Sequence, residues 1–129
     1  MNLPKIAIEL LASYGEVETV YLFGSIADGT ATPQSDFDIG VRCKSGLSKE
    51  ELYNLQFELA GKLCLVLKTD KVDLIVLGAT SNSELRYNII HDGIVCFDRS
   101  RDRIAYETRI AHEYEDHIIC LRRHGLTAR

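Results

Sequence analysis

Residues 36–43, DFDIGVRC, alternate polar or small side chains with apolar ones from end to end. Successive side chains of a β-strand point to opposite faces, so this segment predicts a strand with Phe37, Ile39 and Val41 on one face and Asp36, Asp38 and Gly40 on the other. The two carboxylates therefore share a face. Like charges side by side on a strand cost stability unless something neutralises them, so the segment constrains chemistry as well as fold.

The rest of the chain supplies elements for that strand to join. Residues 4–14 read as a helix, with Pro4 suited to its first position, Ile6, Leu10 and Leu11 at helical spacing and Gly15 just past its end. VETVYLF (17–23) is a β-branched and aromatic strand that Gly24 ends. SIADGTATPQS is turn-forming, with room for one helical turn over 25–28. Ser48 and Glu51 make a capping box for a helix whose Leu52, Leu55, Leu59, Leu63 and Val66 form one stripe. KVDLIVL (71–77) is a strand interrupted only by Asp73, and Ser81 with Glu84 predicts a second capping box for a helix to about His91. Gly93 turns the chain into a last strand, IVCF. A helix from about Ser100 to Arg123 follows, with Ile104, Ile110, Ala111, Tyr114, Ile118 and Leu121 on one side. This order predicts an α/β (α+β) fold with helices packed on a small mixed sheet.

The chain has 129 residues, 46% apolar and 26% charged, which suits one domain over 1–129. A formal net charge of −4 argues against a general nucleic-acid binder, so no direct nucleic-acid contact is expected. Cys43, Cys64, Cys96 and Cys120 are far apart, without metal or redox spacing, and read as reduced, mostly buried thiols. No stretch has the pattern of a signal peptide or a membrane span, and a cytoplasmic location is expected.

A divalent cation would resolve the repulsion between Asp36 and Asp38. Mg²⁺ takes oxygen ligands and typically combines one or two protein carboxylates with waters and substrate phosphates. Asp73, alone in its apolar strand, becomes a third carboxylate if the strands are neighbours, and three fit a two-metal site for nucleotidyl transfer. Gly24 and Ser25 add the phosphate side: a glycine after a strand lets backbone N–H groups approach closely, and the hydroxyl donates another hydrogen bond. Two aspartates at a strand edge are commonly just solvated; the combination with Gly24-Ser25 and Asp73 is what narrows the reading.

The spacing G-S-x10-D-x-D resembles the signature of the nucleotidyltransferase superfamily related to DNA polymerase β. LFGS…SDFDIGV, KVDLIVL and SELRYNIIHDGIVCFD together resemble the MNT (minimal nucleotidyltransferase) domain from about Val17 to Asp98, and with it a palm-type fold. By that resemblance Gly24 and Ser25 would hold the triphosphate of ATP, and Asp36 and Asp38 would bind Mg²⁺. Asp73 would be a third ligand or the base that takes a proton from the acceptor hydroxyl. The chain resembles in particular the antitoxins of HEPN/MNT toxin–antitoxin pairs, which implies transfer of AMP from ATP to a tyrosine hydroxyl of a HEPN ribonuclease partner. The helix over about 100–123 would be a partner interface. Asp28 stands where the family often has arginine, and Ile26 where Arg or Tyr is frequent, so antitoxin action by binding alone stays open. Nucleotidyl transfer to a small molecule such as an aminoglycoside is a third reading, though relatives of that kind carry an added helical domain.

Arg42 and Lys44, after the D-x-D strand, read as a solvated strand end with phosphate or an acidic partner as the alternative. Arg86 is divided between a phosphate contact and a structural ion pair. His91, His112, His117 and His124 lack mutual metal-ligand spacing and are expected on the surface, and Tyr114 is expected to pack.

Overall fold

The computed structural model describes residues 3–24 and 36–125. Helix α1 (Lys5–Ala12) leads into strand β1 (Val17–Phe23), and after residues 25–35 the chain returns as β2 (Phe37–Cys43). Helix α2 (Lys49–Leu67), strand β3 (Val72–Val76), a 3₁₀ turn (Leu77–Ala79), helix α3 (Ser83–Asp92), strand β4 (Ile94–Asp98) and helix α4 (Arg103–Arg123) complete the order. Residues 25–28, for which the sequence left room for one helical turn, lie outside the described residues.

Among the described residues four strands form one sheet in the order β3-β2-β1-β4, with β1 antiparallel to β2 and β4, and β2 parallel to β3. A parallel pair needs a long crossover, and α2 is that crossover. Its N-terminus forms as expected: Ser48 Oγ accepts from the Glu51 N–H at 3.1 Å, and the Glu51 carboxylate accepts from the Ser48 N–H at 3.0 Å.

The two faces of the sheet carry separate apolar clusters. Ile39, Val41, Val20, Leu22, Leu74 and Val76 pack with Leu55, Leu59 and Leu63 of α2 and with Ala7 and Leu11 of α1. On the other face Tyr21, Leu77 and Ile89 make a smaller cluster, bordered by Phe23, Leu85 and Tyr106.

Local differences from the sequence expectations have identifiable causes. Pro4 is the N-cap of α1 rather than its first residue, and the helix stops at Ala12, where Ser13 Oγ donates to the Leu10 carbonyl at 2.6 Å. The second capping box is replaced by Asn82, whose side chain accepts from the Leu85 N–H at 3.0 Å. Ile104 is 67% exposed: α4 instead turns Arg103, Tyr106, Glu107 and Ile110 inward. That face is pinned by Tyr21, which donates its hydroxyl to Glu107 at 2.7 Å, and by Arg103, which reaches Glu107 and Asp98 at 3.1 Å each. None of the four cysteines forms a disulfide; Cys43, Cys64 and Cys96 are half-buried, and Cys120 is exposed rather than buried. No helix among the described residues is long and apolar enough to cross a membrane.

Candidate active site

The site is built where β2 and β3 begin. The Phe37 N–H donates to the Lys71 carbonyl at 2.9 Å, fastening the two starts together. In the parallel register that follows, Asp38 is paired with Asp73. Paired residues on neighbouring strands point to the same face, so the two carboxylates stand side by side across one strand spacing of about 4.8 Å. Asp36 and Asp73 are exposed, whereas Asp38 is half-buried.

The third wall comes from β1. Phe23 pairs with Asp38, and the next residue, Gly24, turns at φ +77°. A Cβ at position 24 would collide with Asp38 Oδ2 and stand 2.9 Å from its Cγ. Glycine is thus required twice here, once for a left-handed backbone and once because the Asp38 carboxylate occupies the side-chain volume. Ser25, like Ile26 and Asp28, lies outside the described residues.

The electrostatics follow from this crowding. Burial pushes the Asp38 carboxyl above the usual carboxylate range, and the charges of Asp73 and then Asp36 push it further in the same direction. A cation would reverse the sign of that local field. Among the described residues no three His, Cys, Asp or Glu side chains close into a preformed metal cage. The donor set is open and all-oxygen, which fits Mg²⁺ completed by waters and substrate phosphates and does not fit a structural zinc.

The far end of the same face departs from expectation. Arg42 is not a solvated strand end: its side chain is 10% exposed, bonded through Nη2 to Asp102 at 2.9 Å, and its guanidinium carbon lies 4.1 Å from the centre of the Tyr106 ring. Lys44 is exposed. Arg86 donates to the Thr80 carbonyl at 2.6 Å and lies 4.0 Å from Glu113, so it acts structurally at the α3–α4 contact. Tyr106 is the residue sequence reasoning missed. Its available signal was the strand period, which puts Arg42 on the inward face with Asp38 and so demands a partner. The four histidines are exposed, and Tyr114 stacks on Tyr87 with centroids 4.5 Å apart.

With this geometry in view, the comparisons with known proteins agree. A family model described as polymerase beta, nucleotidyltransferase, matches residues 5–102. Among solved structures, one described as a toxin–antitoxin with AMP-PNP matches at TM-score 0.76 and 25% identity, over 93% of this chain and 94% of that chain. The MntA-HpeT toxin–antitoxin carrying a double Asp-to-Glu mutation matches at TM-score 0.76 and 27% identity, over 95% and 94%. A complex of tri-AMPylated Shewanella oneidensis HEPN toxin with its MNT antitoxin shares the fold at TM-score 0.68 and 24% identity, over 89% and 86%. No curated protein sequence matches the chain.

Proposed function

Because the chain belongs to the polymerase β nucleotidyltransferase family, we propose that it transfers AMP from ATP to a hydroxyl, that of a tyrosine on a HEPN-type toxin, and is that toxin's antitoxin. The observation that carries this reading is the register that sets Asp38 beside Asp73 with Gly24 against the Asp38 carboxylate. The nearest support for substrate and partner is the fold shared with a toxin–antitoxin that holds AMP-PNP.

Asp36, Asp38 and Asp73 would hold Mg²⁺, in a two-ion arrangement. When bound, the ions supply neutralisation of phosphate charge and a template for in-line displacement. Gly24 gives the Asp38 carboxylate its room and, lacking a side chain, lets backbone N–H groups approach the phosphates closely, and Ser25 is assigned a hydrogen bond to the triphosphate. The acceptor oxygen forms a bond to the α-phosphorus, the bond from that phosphorus to the bridging oxygen breaks, and pyrophosphate leaves. Asp73, exposed on the edge strand, is the group assigned to take the hydroxyl proton or to complete the ion's ligands. The toxin-facing surface in this reading is α4, where Ile104 and Ile119 stand exposed.

The test is intact-mass analysis of the toxin after incubation with this chain, ATP and Mg²⁺, beside Asp36→Asn/Asp38→Asn. A gain of one or more adenylates, absent with the variant, is expected. A stable complex with no mass gain would replace transfer by inhibition through binding, the reading that Asp28 in the phosphate loop favours.

A further inference from the structure

The geometry points to a second anion site on this molecule: the cavity between the end of β2 and α4 binds a phosphate-class dianion, either the free ion or the terminal phosphate of a nucleotide. The cavity measures about 210 Å³ and is bounded by Arg42, Lys44, Ser45, Gly78, Tyr106 and Arg109 among others. Its lining carries three cations and neither Asp nor Glu, in a chain whose formal charge is −4.

Each cation has a place in the argument. Arg42 is nine-tenths buried, and its Nη2 is engaged with both oxygens of Asp102 at 2.9 and 3.1 Å. Among the described residues its Nη1, which is buried, has no hydrogen-bond partner. A guanidinium donor left without an acceptor is costly, and with a small shift of the Arg42 side chain toward the cavity an oxoanion would supply the acceptors that guanidinium groups match best. Arg109 stands with its guanidinium 5.6 Å from the centre of the Tyr106 ring, and exposed Lys44 stands at the rim. Asp102 offsets one of the three charges, leaving two, which suits a dianion better than a lone carboxylate. Nε of Arg86 is also buried without a partner among the described residues.

Size and position separate this cavity from the carboxylate site. It holds several waters at about 30 Å³ each but falls short of the roughly 300 Å³ at which pockets begin to enclose drug-sized ligands, so a phosphate or diphosphate fits and a nucleoside does not. Gly40 lies between Asp38 and Arg42 on the same face, and Ile89 packs on it so closely that a Cβ there would stand 2.6 Å from Ile89 Cγ2. Four residues of strand place Asp38 and Arg42 roughly 13 Å apart. A phosphate held at the aspartates is therefore a different phosphate from one held here, and the inference does not depend on the transfer reading.

The experiment is calorimetric titration of the full chain carrying Asp36→Asn/Asp38→Asn, in chelator at low ionic strength, with inorganic phosphate, pyrophosphate and AMP in turn. One saturable site is expected. Adding Lys44→Gln and Arg109→Gln, both exposed positions, should weaken it about tenfold or more without moving the melting temperature. AMP binding more tightly than phosphate assigns the site to a nucleotide's phosphate; AMP binding equally or less tightly assigns it to the free ion. As a readout that needs no change in the cavity, the Arg42 side-chain N–H resonances should shift on saturation. Absence of saturable binding at millimolar phosphate, or binding unchanged by the Lys44 and Arg109 substitutions, overturns the proposal.

Discussion

The two faces of strand β2 are built on opposite plans. Toward α1 and α2, Ile39 and Val41 are fully buried in a continuous apolar cluster, where each side chain is one of many and the contacts are non-directional. Toward α3 and α4, Asp38, Gly40 and Arg42 each meet one or two specific neighbours: Gly24 and Asp73, then Ile89, then Asp102 with Tyr106. The lesson is a division of labour at single-residue alternation. The larger apolar cluster lies on the face that holds none of the candidate site, which lets the other face hold charges that work against folding.

The comparison breaks most severely if the aspartates prove structural. Asp36→Asn/Asp38→Asn should lower nucleotidyl transfer by roughly 10³-fold, while the melting temperature, read by circular dichroism, stays level or rises because mutual repulsion is relieved. A fall in melting temperature would mean that the polar face also supports the fold. On the other face, Leu59→Ala removes a fully buried side chain and should cost about 2–5 kcal/mol in urea unfolding, with transfer per folded molecule unchanged. Gly40→Ala sharpens the contrast, since its Cβ must displace Ile89; about 1–3 kcal/mol is expected, with Ile89→Val in combination recovering part of it.

The smallest effect concerns pH, at the edge of the polar face. Burial raises the Asp98 carboxyl, but hydrogen bonds from the Ser100 hydroxyl and N–H, from Thr19 and from Arg103 outweigh it and hold the group below the usual carboxylate range. A carboxyl lowered in the folded state contributes stability that is complete above the unfolded value near about 3.9 and is lost as pH falls through the folded value. The gap in melting temperature between the parent chain and Asp98→Asn should therefore narrow as the pH drops below about 4. A gap that widens instead would mean the network does not favour the charged form.

What could be read from sequence divides along the same line. The alternation of β2, the Ser48–Glu51 box and the stripe of Leu55, Leu59 and Leu63 are local or periodic signals, and each forms as read. The adjacency of Asp73 to the D-x-D strand was legible because an apolar strand tolerates a lone carboxylate only for a reason. The failures lie where a partner is far along the chain. Arg42 looked solvated because Asp102 and Tyr106, which bury it, belong to the last helix and its cap. Ile104 looked internal because a count of apolar residues cannot see that Arg103 and Glu107 satisfy one another, with Tyr21, beneath the helix. Asn82 won the cap from Ser81 over a single residue of register, a choice that local composition does not decide.

The parallel pairing of β2 with β3 has a temporal meaning as well. β1 and β2 can meet as a local antiparallel pair, but Asp38 reaches Asp73 only after the whole of α2 has crossed over and docked. Closing that longer loop is the slower step. A nascent or partly refolded chain thus keeps Asp73 away from the Asp36–Asp38 pair, and assembly of the trio reports that β3 has joined β2.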